Sequence, residues 1–145
     1  MNEASPIAVM NEASGLCLVL WIPRPPDNAN NRGHWAKAMA AKRMHQHELG
    51  KRVTGRLMPG PPPVPFARAR IAHHWYYQPP ETKRLDPDNA QRRLKHVVDW
   101  LVTYGYLAGD TDAHVTWDEA VQTRGAPPAD ASPLASVRLT LTSLS

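Results

Sequence analysis

"RLDPDNAQRRLKHVVDWLVTYGYLAGDTDAHV" (84–115) holds both the clearest secondary-structure signal in this chain and its densest charge pattern. From Asn89 to Tyr104 the apolar positions are Leu94, Val97, Val98, Leu101 and Val102. That is the i, i+3, i+4, i+7, i+8 stripe of an amphipathic helix. Asp88 suits the N-cap and Gly105 suits the residue just past the C-cap, so both ends have a physical reason. The opposite face carries Arg92, Lys95, His96 and Asp99. Asp86 and Asp88 stand two residues apart beside Arg84, Arg92, Arg93 and Lys95, and two more carboxylates, Asp110 and Asp112, follow the helix.

Outward from this segment the chain alternates between strand and helix signals. Residues 1–14 read as a loose N-terminal tail. "LCLVLWIP" (16–23) is rich in apolar and branched residues and ends at proline, as a short buried strand does. "RPPDNANNRG" (24–33) is loop, and residues 34–53 have high helix propensity with a basic flank. "MPGPPPVP" (58–65) stops that helix and is a stiff connector rather than a domain linker. "FARARIAHHWYY" (66–77) alternates: Arg68, Arg70, Ala72 and His74 share one face of a strand, with Ala69, Ile71, His73 and Trp75 on the other. Residues 113–123 and 134–143 read as two further strands. The expected fold is one α/β (α+β) domain over 15–145, a small mixed sheet of about four strands with two main helices in the order β-α-β-α-β-β.

At 145 residues, with 42% hydrophobic and 21% charged residues, the chain suits one folded domain with a modest core. The longest apolar run, "GLCLVLWI" (15–22), is too short to span a bilayer. The first fifteen residues carry acids and no basic region, unlike a secretory signal. Cys17 is the single cysteine, so neither an internal disulfide nor a cysteine-rich zinc site is available. A cytoplasmic location is expected, with no membrane partner and no small-molecule cofactor. Residues 32–95 hold fourteen Lys or Arg against four acids, whereas 96–123 hold five acids and no Lys or Arg. Basic charge on that scale favours a polyanionic partner through phosphate contacts, although it also serves simply as a soluble surface.

The carboxylates have two readings. In an extended chain Asp86 and Asp88 would point to one side with Cα atoms ~6.6 Å apart. Side chains so placed can converge on hard cations such as Mg²⁺, which takes a few carboxylates plus waters and phosphate oxygens. Locally, the same residues can be no more than a "DPDN" turn and a helix cap, and "GDTDAH" no more than another turn. A strand returning from near Ala113 would bring Asp110 or Asp112 back towards the first pair. His73 and His74 fit packing and solvent roles better than metal binding. Trp75, Trp100 and Trp117 fit the core, while Trp35 lies among basic residues.

On these motifs the chain resembles the RusA family of Holliday junction resolvases, particularly phage and prophage members. The carrying segments are "PPDNANNR" (25–32), "DPDN" (86–89), "KHVVDWLVTYG" (95–105) and "AGDTDAHV" (108–115). Their order and spacing match from the first strand to "SVRLTLTS". The resemblance implies a RusA-like fold, with Asp86, Asp88 and Asp110 binding Mg²⁺ (Mn²⁺ substituting) and Lys95 essential for cleavage. Arg92, three residues after Asn89, stands where the family prototype has its lysine and is a possible substitute, as Asp112 is for Asp110. Gly109 replaces one acid of the usual acidic pair.

The implied activity is Mg²⁺-dependent endodeoxyribonuclease cleavage of branched DNA by a homodimer, which makes paired symmetric nicks in a four-way junction during recombination and repair. Arg32, Lys37, Lys42, Arg43, Arg68, Arg70, Lys83, Arg84 and Arg93 are the expected DNA contacts. The competing readings are a DNA-binding protein without catalysis and a metal nuclease acting on flap or duplex nucleic acid. A phage protein that retains the fold without activity is a further possibility.

Overall fold

The computed structural model describes residues 9–11, 15–26, 35–78 and 84–144. Its frame is one mixed sheet. The strands are β1 (Val9–Asn11), β2 (Gly15–Ile22), β3 (Ala69–Tyr77), β4 (Val115–Trp117), β5 (Val121–Arg124) and β6 (Val137–Ser143). Their order is β1-β2-β6-β3, with both β4 and β5 on the far edge of β3. β2 pairs antiparallel with β6 from Cys17↔Thr142 to Ile22↔Val137, and β6 pairs antiparallel with β3. β4 and β5 run parallel to β3. A parallel neighbour needs a long crossover, and here the crossover is the 84–115 segment.

Alternation along the central strands places the core. Ala69, Ile71, His73 and Trp75 of β3 are buried while Arg70 is exposed, as the sequence pattern predicts. Leu18, Leu20 and Ile22 of β2 and Val137, Leu139 and Leu141 of β6 add their inward residues. Over this face lie α1 (Trp35–Thr54), α2 (Pro87–Arg93) and α3 (Lys95–Thr103). The stripe Leu94, Val97, Val98 and Leu101 is buried against the sheet. α1 supplies only Leu49 as a buried aliphatic residue and is otherwise seated by polar groups, His45 and Arg52. Arg52 donates to Trp21 O, Ser132 Oγ and Pro133 O.

Four details differ from the sequence expectation. The sheet has six strands rather than about four. Val9–Asn11 pairs with β2 instead of belonging wholly to a loose tail. The expected strand 113–123 is two strands, because Ile71↔Trp117 and His74↔Val121 leave one extra residue opposite β3, the mark of a bulge. The expected helix 89–104 is also two pieces: it starts at Pro87, so Asp86 and not Asp88 is the N-cap, and it breaks at Leu94 (φ −90°, ψ 0°). Its far end follows the expectation. Gly105 is at φ +89°, and the N–H groups of Gly105 and Tyr106 bond Val102 O and Leu101 O, the paired closure that favours glycine.

Candidate active site

The first turn of α2 is prepared by its approach. Leu85 is held at both backbone polar groups by one side chain: its N–H bonds Gln122 Oε1 (2.7 Å) and its carbonyl accepts from Gln122 Nε2 (2.6 Å). That double bond anchors the chain before Asp86 to β5. Pro87 then opens the helix with a φ suited to that position. Asp86 makes no side-chain capping bond, so capping does not account for its carboxylate. Asp88 sits in the first turn and is exposed, where the N-terminal end of the helix dipole favours an anion.

The opposite wall is the acidic turn after α3. Ala108 N bonds Phe66 O, His114 N and Val115 N both bond Thr111 O, and His114 Nδ1 donates to Ala67 O (3.0 Å). The His114 ring lies directly over Gly109, where a Cβ would come within 2.4 Å of its Cδ2. Glycine at 109 is therefore a packing requirement. An acidic residue there would displace the histidine that pins the turn.

Between these walls is a concavity of about 390 Å³. Asp88, Arg92 and Lys95 line it from α2 and α3, Asp110 lines it from the turn, and Val98 and Trp117 provide apolar surface. Positions 88, 91, 92, 95 and 98 fall on one helical face despite the break at Leu94. The structure thus brings together Asp88, Lys95, Asp110 and Arg92. Asp86 and Asp112, both exposed, are not among the lining residues. The two-residue spacing that would align Asp86 with Asp88 holds only in extended chain, and the helix has already begun at Pro87.

Asp99, the aspartate four residues after Lys95 in the matched pattern, carries no site role in the sequence and does not line the concavity, yet it is coupled to Asp110. Desolvation raises its carboxyl above the usual range, and so do the charge of Asp110 and a hydrogen bond shared with it, opposed by Lys95 and Lys42. Gln122 and His114 were equally invisible to sequence reasoning, because their importance lies in contacts 37 and 47 residues away.

Mg²⁺ suits this donor set in kind: two hard carboxylates with two cations beside them for a phosphate. Among the described residues no three His, Cys, Asp or Glu side chains are grouped to hold a metal ion. Asp88 and Asp110 would therefore provide the protein's share, with waters and phosphate oxygens completing the shell, the usual manner for this ion.

The basic residues are distributed unevenly. Lys37, Arg43, Arg68 and Arg84 are exposed, and Lys42 is half-buried close to His96 and Asp99. Arg70 is 3.6 Å from Asp118 in an exposed ion pair. Arg93 is only 8% exposed; it lies three residues after buried Ala90 and four before Val97, on the core face, so it does not belong with the DNA contacts. Arg32 and Lys83 lie outside the described residues. His73 has a packing role, donating to Asp118 O and accepting from Trp75 Nε1. No helix among the described residues is long and apolar enough to cross a membrane. No family model and no curated protein matches the chain.

Proposed function

We propose that the chain is a Mg²⁺-dependent endodeoxyribonuclease of the RusA type that nicks branched DNA, foremost four-way junctions, as a homodimer. The observation that carries this reading is the concavity in which Asp88 and Asp110, twenty-two residues apart, face Arg92 and Lys95. A structural turn and cap would not require acids from both ends of a crossover beside two cations.

Asp88 and Asp110 hold the cation, and Mn²⁺ substitutes for Mg²⁺. When bound it supplies Lewis-acid polarisation of the phosphoryl oxygens and a lowered pKa for a bound water. Lys95 provides a compact positive charge against the scissile phosphate and Arg92 a planar fork, and both gain as charge builds on the phosphoryl oxygens. Val98 and Trp117 provide apolar surface beside these charges. The exposed Lys37, Arg43, Arg68 and Arg84 contact phosphates away from the cut. Two copies related by a twofold axis suit a nearly twofold junction, giving one nick per site.

The test is a panel of labelled four-way, three-way, flap and linear DNAs with Mg²⁺ or Mn²⁺. Symmetric nicks in the four-way junction are expected, and Asp88→Asn is expected to bind junctions normally while cutting them at least about a hundredfold more slowly. Wild-type nicking by Asp88→Asn would overturn the assignment. Binding with no nicking of any substrate would favour a DNA-binding protein without catalysis.

A further inference from the structure

A second recess, of about 330 Å³, lies between α1 and α3. Arg43, Gln46 and His47 border it from α1, and Asp99, Trp100 and Tyr104 from α3 and its cap. Asp99 joins the two recesses. It lines this one, and its carboxyl is electrostatically coupled to Asp110 of the concavity described above.

The aromatic wall is built rigidly. Tyr106 is fully buried and donates its hydroxyl to Pro59 O (2.7 Å). Trp100 packs on it at 5.4 Å between ring centroids, and Tyr104 packs on Trp100 at 4.9 Å and 37°. The outermost ring, Tyr104, is 56% exposed. A large apolar ring is thus fixed at the surface with one side against the core stack. Across from it, Gln46 is held by its Nε2 bond to His96 O (2.8 Å), and Arg43 and His47 are exposed one helical turn apart.

We propose that this recess takes an unpaired nucleotide of the strand being cut, its base stacked on Tyr104 and its phosphate against Arg43 and His47. The inference rests on the endonuclease reading and adds to it a subsite for one nucleotide. Aromatic platforms beside cations are how unpaired strands are held, because every base has a face to stack and every nucleotide a phosphate. A small anion would gain nothing from the exposed ring. Reach also agrees. Tyr104 is nine residues after Lys95, about 13.5 Å along the helix. A strand crosses that in about four stacked nucleotides at about 3.4 Å each, and in fewer when extended. Every base of a four-way junction is paired, so the nucleotide would be one that binding unpairs at the branch point, where stacking is interrupted.

The experiment places 2-aminopurine at each of the first four nucleotides on either side of the junction point. Binding is followed in the Asp88→Asn background, so nothing is cut. At one position fluorescence should be quenched on binding, and the quenching should be lost in Tyr104→Ala and kept in Tyr104→Phe. Affinity for the junction should fall about tenfold in Tyr104→Ala and in Arg43→Ala, and affinity of Tyr104→Ala for fully paired linear duplex should stay unchanged. Quenching independent of residue 104 at every position, or equal losses on junction and duplex in Tyr104→Ala, would overturn the proposal. The readout needs no cleavage. A protein that stacks the base but never nicks any substrate contradicts the endonuclease reading alone, and one that nicks junctions without stacking contradicts only this subsite.

Discussion

Lys95 and His96 are neighbours at the start of α3, yet they belong to two different polar regions. Lys95 faces the concavity with Asp88, Arg92 and Asp110, exposed and open to a ligand. His96 faces α1 and is buried with His45. There His45 Nε2 donates to Pro23 O (2.9 Å), which leaves its Nδ1 to accept from His96 Nε2 (2.8 Å). The carbonyl can only accept, so both tautomers follow from the geometry. Internal hydrogen bonds fix the histidine pair, whereas the carboxylates and cations of the concavity face outward. Polar groups of the first kind hold a fold together, and those of the second kind lie at the exposed surface of the concavity.

The sharpest way to break this contrast is to exchange the effects of mutation. Asp110→Asn should lower junction cleavage at least about a hundredfold while leaving the melting temperature near wild type. His45→Leu should do the reverse. It strands Pro23 O and His96 Nε2 in the interior, costing about 2–4 kcal/mol in a denaturant titration, while the folded fraction keeps its cleavage rate. A His45 variant of normal stability would show that the buried pair is not structural.

Acid separates the regions next. Desolvation, with the charges of His45 and Lys42 adding to it, pushes the His96 imidazole down to about 3, and burial also lowers His45 and His73. Each of these groups binds its proton more weakly when folded than when unfolded, where the ordinary value is about 6.5. Their stabilising contribution is therefore complete above pH 6.5 and declines as pH falls below it. For His96 the loss approaches about 1.4 kcal/mol per pH unit down to about pH 3, and His45 and His73 add to it in the same direction. Unfolding measured from pH 8 to pH 4 should show that slope, and His96→Phe should flatten it. A flat profile for the wild type would contradict the assignment.

Smaller effects sharpen the site side of the comparison. Gln122→Ala frees both polar groups of Leu85 and should cost about 1–2 kcal/mol, with cleavage falling more than junction binding because Asp88 loses its anchored approach. Arg70→Ala breaks only an exposed ion pair with Asp118 and should change stability by less than about 1 kcal/mol.

How much of this was legible in the sequence depends on the range of each contact. The stripe of Leu94, Val97, Val98 and Leu101 shows because helical period and burial coincide, and the β3 alternation shows for the same reason. Asp88 and Lys95 are seven residues apart, a helical repeat, so their shared face also shows. Arg93 belongs to the same spacing logic: with Ala90 and Val97 it lies on the inner face, which its charge disguises. The break at Leu94 carries no glycine or proline to signal it. Gln122 on Leu85 and His114 on Gly109 depend on parallel pairing of β4 and β5 with β3, which no local pattern encodes. Pro87 explains why two aspartates that look alike in sequence part company, Asp86 as the cap and Asp88 in the helix.

The most direct test of the central claim is the rate of four-way junction cleavage by Asp110→Asn and Asp112→Asn, measured side by side at saturating Mg²⁺. The two residues share one turn, one charge and one exposed setting, and only Asp110 lines the concavity. Cleavage should fall at least about a hundredfold in Asp110→Asn and stay within about threefold of wild type in Asp112→Asn. The opposite ranking, or equal rates for both, would show that the chemistry is not where Asp88, Lys95 and Asp110 meet.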